Sequence, residues 1–471
     1  MSSYDVRIWP IREHKGRDRK TGKARSTYRV RWRVARREFG KSYQTSALAE
    51  SFRSKLITAQ REGTAFDEAT GLPEPMARAL NTRTWYEHAV AFVDMKWPRA
   101  AGKHRRSIAE ALATVTPALL STDRGVPAEK DIRRALYGWA FNKARRNTAP
   151  ADVATTLRWL ASNTIRLTEL TDAALVRKAL DLLALRLDGK PAAATTIARK
   201  RAVFYGALRY AVELRLLDGH PMDYVQWTTP KSEDEVDRRV VVNPKQARAL
   251  LDAVRDREPR LAAFFACMYY AALRPAEVLH LRADECELPA KGWGWLRLTG
   301  STQHVGHDWG EGGNVREDRE LKHRGKNATR DVPAAPALVR MLRWHLNEYG
   351  AAPDGRLFHA TGYRRGAVSL GTYTRAWRQA RAAALTEAQQ RSPLAKVPYH
   401  LRHAAVSLWL NAGVPATQVA EWAGHSVHVL LKVYAKCIDG QDEAARRRIE
   451  TALNASGEES PTNEEEEPTD G

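Results

Sequence analysis

The sequence predicts a multidomain protein, mainly α with small β-sheets, and three observations carry that prediction. A chain of 471 residues is too long for one ordinary domain. Helical periodicity runs almost unbroken from Thr82 to about Trp227 and resumes after Asn243. Period-two alternation appears only in short runs, the clearest being Tyr28-Arg-Val-Arg-Trp-Arg-Val, where aromatic or β-branched residues alternate with arginines.

In chain order, residues 1–63 read as a basic three-stranded sheet followed by a helix. The strands are expected at Val6–Trp9, Tyr28–Val34 and Arg37–Tyr43, and the helix from Ser46 to Arg61, with Thr45 before it. Residues 64–80 hold two prolines and a Gly-Leu-Pro and read as a linker. Residues 81–228 are expected to be a helical domain, whose last helix carries a basic edge of Arg199, Lys200, Arg201 and Arg209. The polar stretch 229–241 reads as a second linker.

A mixed α/β, mostly α domain is then expected over 242–455. It opens on Asn243-Pro244, an N-cap with proline at the first helical position. Leu261–Leu273 is apolar enough to be a buried helix, and Arg274 follows it. Because Pro275 pushes the residue before it out of the helical region, Arg274 belongs at a helix junction. Trp295–Thr299 and Thr329–Pro333 are short strand candidates, and Glu320-Leu-Lys322 begins a return strand whose expected partner is Arg330-Asp-Val-Pro. Residues 456–471 form an acidic tail with seven acids and no base, expected to be disordered.

The balance of 76 Lys and Arg against 55 Asp and Glu leaves a formal charge of +21, most simply the mark of a polyanionic partner such as nucleic acid. Residues 1–41 alone hold 14 bases against four acids. The longest apolar run is short of the ~18 residues of a membrane span, and the N-terminus has no signal-peptide core. Three widely spaced cysteines make neither a disulfide framework nor a zinc site, and point to a reduced, cytoplasmic setting. His304, His307 and Asp308 lack a third well-spaced ligand, so no metal and no cofactor are expected.

Chemistry concentrates between Val397 and Tyr434. Arg402 sits beside His400 and His403, Gly424-His425 follows, and Tyr434 comes nine residues later. Leu401, Ala404, Ala405, Leu408 and Ala412 recur at helical spacing and stop at Gly413. Cations and a phenol held around one point on packed helices suit a phosphate. A helix-turn-helix over Leu408–Gly424 is the rival reading of the same stretch.

With Arg274 and a hairpin lysine ahead of it, this constellation resembles the tyrosine recombinase (phage-type integrase) family, in the three-module form. Ala271-Ala-Leu-Arg-Pro-Ala-Glu-Val-Leu-His-Leu281 looks like the first-arginine box. Leu401-Arg-His, Trp422-Ala-Gly-His425 and Val433-Tyr434-Ala-Lys look like the second-arginine, third-box and nucleophile segments. One position departs from the pattern: three residues before Arg402, where the family usually has histidine, stands Tyr399.

The resemblance implies an arm-type DNA-binding domain at 1–63, a core-binding domain at 81–228 and a catalytic domain at 242–455. It implies a site-specific recombinase that cuts and rejoins DNA through a covalent 3′-phosphotyrosine. Tyr434 is the implied nucleophile, Arg274 and Arg402 the phosphate clamps, Lys322 the general acid with Lys326 as the alternative, and His425 a phosphate and proton-handling group. Double-stranded DNA attachment sites of core and arm type are the implied partners, with a homotetramer in the synaptic complex, a DNA-bending host factor and an excision directionality factor. A bacterial, nucleoid-associated location goes with them. A type IB-like topoisomerase and a non-catalytic helix-turn-helix regulator are the alternatives.

Overall fold

The computed structural model describes residues 2–17, 24–81, 83–186, 188–228, 230, 236–321, 325, 327–361, 366–434 and 442–455. Lys322, Lys326 and the acidic tail lie outside the described residues. The chain divides into two compact units, 1–232 and 233–471. Among the described residues, no helix is long and apolar enough to cross a membrane.

The first unit opens with β1 (Ser2–Ser3), β2 (Val6–Ile8), β3 (Arg12–Arg17), β4 (Ala24–Val34) and β5 (Arg37–Tyr43). The long strand β4 is central: β2 and β3 pair in succession along one side of it and β5 along the other, all antiparallel. Val30, Trp32 and Val34 are buried against Ala49, Phe52 and Leu56 of α1 (Ser46–Arg61), whose N-cap Thr45 accepts from the Leu48 N–H. The intervening Arg29, Arg31 and Arg33 therefore share the opposite face of the sheet. Arg7 lies directly across from Arg33, and Arg12 across from Arg29, so the outer face stacks like charges side by side.

Residues 64–80 are not a spacer. They form β6 (Phe66–Asp67), which pairs with β1, and α2 (Glu74–Asn81), and they bury Phe66, Leu72 and Ala77 in the sheet's own core. The glycine and prolines there mark a tight fold-back. Gly71 has φ +72°, its carbonyl accepts from the Trp32 indole N–H, and a Cβ there would meet the Phe39 ring at 2.4 Å.

Helices α3 (Trp85–Lys96), α4 (Gly102–Val115), α5 (Glu129–Ala135), α6 (Ala151–Asn163), α7 (Ala173–Leu183) and α8 (Ala194–Glu213) complete the unit. Trp85 packs edge-on against Phe204 and donates to Thr116 Oγ1 at 2.9 Å. The basic edge expected on α8 is partly turned inward. Arg199 donates to Glu110 at 3.1 Å, and Lys200 is buried beside the same carboxylate at 3.9 Å.

In the second unit, α9 (Pro244–Arg257) starts at the expected Asn243 cap and packs on the buried α10 (Pro259–Tyr270). The short α11 (Pro275–Val278) follows. Residues β7 (Cys286–Glu287), β8 (Gly294–Leu298), β9 (Gly300–His304), β10 (Arg316–Glu320) and β11 (Arg330–Ala334) come next. Here the pairing differs from expectation: β11 pairs with β8, while the 316–320 strand forms a separate hairpin with β9. Helices α12 (Pro336–Tyr349), α13 (Leu370–Ala384), α14 (Glu387–Arg391), α15 (His400–Asn411), α16 (Ala416–Ala423), α17 (Val427–Tyr434) and α18 (Asp442–Ala455) close the unit.

Two expectations change here. Val236, inside the expected linker 229–241, is buried and donates its N–H to the Val433 carbonyl at 2.8 Å. Leu410, Val419, Ala420 and Ala423, within the stretch of the rival helix-turn-helix reading, lie with Val406 in the same core cluster as Val236 and Tyr434.

Candidate active site

The site is assembled where α10 ends. Ala272 takes φ +49°, a left-handed turn that breaks the helix and aims its carbonyl inward. Arg274 follows in extended conformation as the N-cap of α11, as the proline rule expects. Glu277, one turn on, gathers three donors: the Arg274 backbone N–H at 2.8 Å, Arg274 Nη1 at 2.8 Å and Arg330 Nη2 at 2.8 Å. Burial raises the energy of this carboxylate, but Arg330, Arg274 and Arg402 outweigh it and hold its pKa down to about 2. For Arg274 burial likewise opposes the charge, yet Glu277 and the Tyr399 hydroxyl leave its pKa above the ordinary value.

Arg402, on the first turn of α15, is fully buried. Its Nη1 donates to the Ala272 carbonyl, and its Nη2 donates to the Ala423 carbonyl and to His425 Nε2 at 2.9 Å. The guanidinium thus ties the end of α10 to the end of α16. Gly424 ends α16 in the left-handed region, φ +65°, and its carbonyl accepts from Arg274 Nη2 at 2.9 Å.

Tyr434, at the end of α17, is also fully buried. Its hydroxyl lies 2.8 Å from His403 Nδ1, and the His425 ring stacks along its ring at 6.2 Å and 28°. Burial, then the nearby Arg402, Arg274 and Arg330, push His425 down to about 3. Burial, then His400 and Arg402, push His403 down to about 4. Both imidazoles are neutral near pH 7. The Tyr399 ring sits 5.1 Å from His403.

The structure therefore brings together Arg274, Arg402, His425, Tyr434 and Tyr399 from widely separated segments. His400 stands outside this set, its ring 6.0 Å from that of His403. Three members escaped the sequence reading as site residues. Glu277 was legible in principle, since its spacing from Arg274 is that of a capping box. Arg330 was marked only as a strand residue, and His403 only as a neighbour of Arg402. Their roles depend on contacts across the chain that no local pattern reveals.

Chemically, the arrangement is a cluster of guanidiniums with a phenol beside Arg402, one neutral imidazole at its hydroxyl and another stacked on its ring. Forked guanidiniums match phosphate oxygens, and a phenol among cations ionises more readily.

A model of the phage integrase family matches residues 241–439. No curated protein matches the chain. Among solved structures, the chain is similar to the Tn1549 transposon integrase (residues 82–397) in complex with circular intermediate DNA, at 15% identity over 66% of this chain and 96% of that one, with TM-score 0.44. It is similar to the XerH site-specific recombinase bound to a difH substrate, at 13% identity over 78% and 95%, with TM-score 0.45. It is also similar to a lambda integrase tetramer bound to a Holliday junction, at 14% identity over 92% and 95%, with TM-score 0.43. The family match and the site fall on the same residues: 241–439 match the phage integrase (tyrosine recombinase) domain, and Arg274, Glu277, Arg330, Arg402, His403, His425 and Tyr434 all lie within it.

Proposed function

We propose that this chain is a tyrosine recombinase that cuts and rejoins DNA at specific sites through a phosphotyrosine at Tyr434, integrating or excising a mobile element such as a phage. The observation that carries the reading is the Tyr434 phenol, held in hydrogen-bond contact with an imidazole inside the guanidinium cluster of the matched domain. A type IB-like topoisomerase and a non-catalytic regulator are not favoured by that match.

In this reading a scissile phosphate is drawn first to Arg274, whose side chain keeps 19% exposure while that of Arg330 keeps 3%. Arg274 and Arg402 neutralise the non-bridging oxygens as charge builds there in the transition state. Glu277 fixes Arg274 in position, and Arg402 fixes the loops that carry Gly424 and His425. The Tyr434 oxygen attacks phosphorus in line, and the P–O5′ bond breaks. The leaving 5′-oxygen needs a proton, which the family resemblance assigns to Lys322, with Lys326 as the alternative. His425, anchored on Arg402, contributes a hydrogen bond at the phosphate. Tyr399 supplies a phenol to the same site in place of a histidine. Because the phosphotyrosine keeps the bond energy, a 5′-hydroxyl of a second duplex reverses the step without ATP.

The first unit is proposed to hold the DNA: an arm-type module in its sheet and α1, and a core-binding module in α3–α8. Arginines directly opposite one another destabilise a sheet unless a polyanion lies over them, which supports a phosphate-tracking role for the face of Arg7, Arg12, Arg29, Arg31 and Arg33. A homotetramer on core and arm attachment sites, assisted by a DNA-bending host factor and an excision directionality factor in a bacterial cytoplasm at the nucleoid, completes the proposal. Wild-type protein mixed with a nicked suicide duplex should form a covalent DNA adduct that resists denaturation, and Tyr434→Phe should form none. An adduct of undiminished yield in Y434F would sink the assignment.

A further inference from the structure

We infer that His403, rather than His425, is the general base that takes the proton from Tyr434, an inference that rests on reading Tyr434 as the nucleophile. Its Nδ1 lies 2.8 Å from the phenol oxygen, within direct proton-transfer reach. The other imidazoles are placed differently. His425 Nε2 accepts from Arg402, which puts that ring's proton on Nδ1, and the ring lies along the phenol ring with its nitrogen lone pair engaged elsewhere. The His400 ring is 6.0 Å from His403, and among the described residues its Nδ1 has no hydrogen-bond partner. Tyr399, at the position where the family resemblance expects histidine, offers a hydroxyl and not the lone-pair nitrogen of an imidazole.

The charged and titratable groups around His403 are Tyr399, His400 and Arg402 at the start of its own helix, with His425 and Tyr434 from the segment packed across it. Burial first, then His400 and Arg402, keep the imidazole neutral, so the Nδ1 lone pair is available. An arriving phosphate brings negative charge to the same place and raises the basicity of the imidazole when attack begins. The step balances simply. The phenol proton passes to Nδ1 as the Tyr434 oxygen bonds to phosphorus, and the P–O5′ bond breaks. The 5′-oxygen takes its own proton from the separate general acid. On resealing, the 5′-hydroxyl attacks, the general acid recovers its proton, and the imidazolium returns a proton to the released phenol.

His403→Asn separates a base from a spacer, because the amide oxygen can occupy the place of Nδ1 and accept the hydrogen bond but cannot carry the proton away. The readout is the rate of adduct formation on the suicide duplex across pH, with DNA binding measured alongside. The wild-type rate should be flat from about pH 6 to 8, and H403N should be slower by about 10²–10⁴-fold near pH 7 and climb in proportion to hydroxide. An H403N rate close to wild type, or one lowered by the same factor at every pH, overturns the inference. So does a His425→Asn variant that shows the hydroxide-dependent profile while H403N does not. If H403N fails to fold, His403→Gln takes its place. If neither folds, a wild-type rate that climbs with hydroxide through neutrality overturns the inference, and a flat one supports it. A wild-type chain that forms no adduct removes the nucleophile reading and this inference with it, whereas an adduct with a pH-independent H403N defect removes only the inference.

Discussion

Gly424 meets two demands at once. Its φ of +65° caps α16, and a Cβ at that position would lie 2.1 Å from Arg330 Nη1 and 3.3 Å from Arg274 Nη1. Gly424→Ala should cost about 1–3 kcal/mol of stability through the left-handed backbone alone. By displacing the guanidiniums it should also slow adduct formation by about 10²-fold, the usual cost of a misplacement near 1 Å. Thermal melting and single-turnover cleavage check the two parts separately, and a variant that melts lower but cleaves normally would contradict the second. At this scale the sequence was informative about type and poor about partners. The Gly-His pair and Arg402 stand out in the stretch from Val397 to Tyr434. That Gly424 must also clear Arg330, and that His403 rather than His400 meets the phenol, depends on how α15 is rotated against α17.

At the scale of elements, α11 and the strand β11 are joined by one carboxylate. Glu277 is almost wholly buried, between Arg274 and Arg330. Glu277→Gln leaves two guanidiniums underneutralised and should destabilise the domain by about 3–5 kcal/mol. Linkage adds a pH signature. The folded pKa of Glu277 lies near 2, below the ordinary 4.5, so its contribution is fully present above about pH 4.5 and is lost as pH falls toward 2. His403 and His425, with folded values near 4 and 3, are also depressed. In the unfolded chain they take up protons first, so stability declines with acid from about pH 6.5 downward. Denaturant titrations from pH 8 to 3 should show wild type weakening from about pH 6.5 downward and more steeply below about pH 4.5, where E277Q keeps only the shallower histidine part; equal acid sensitivity in both would contradict the assignment. The junction at Arg274-Pro275 was readable because the proline rule is local. The partner of β11 was misread because strand pairing between 294–298 and 330–334 leaves no mark at either end.

For the whole molecule, the same limit explains the linkers. Proline, glycine and charge marked 64–80 and 229–241 as spacers, yet Phe66, Leu72, Ala77 and Val236 are core residues, because turns that fold a segment back use the same residue types as linkers. The basic strand was legible at once, since a period of two puts Arg29, Arg31 and Arg33 on one face. Replacing those three by Gln should lower the slope of log affinity against log salt by about three for duplex DNA, roughly one per lost phosphate contact. Fluorescence anisotropy measures it, and an unchanged slope would remove the sheet from the DNA interface. The central claim, that Tyr434 carries the DNA strand, is tested most directly by digesting the covalent adduct and sequencing the nucleotide-bearing peptide by mass spectrometry. The account predicts a 3′-phosphate linked to the oxygen of Tyr434, and linkage to any other residue, or to a 5′-phosphate, would contradict it.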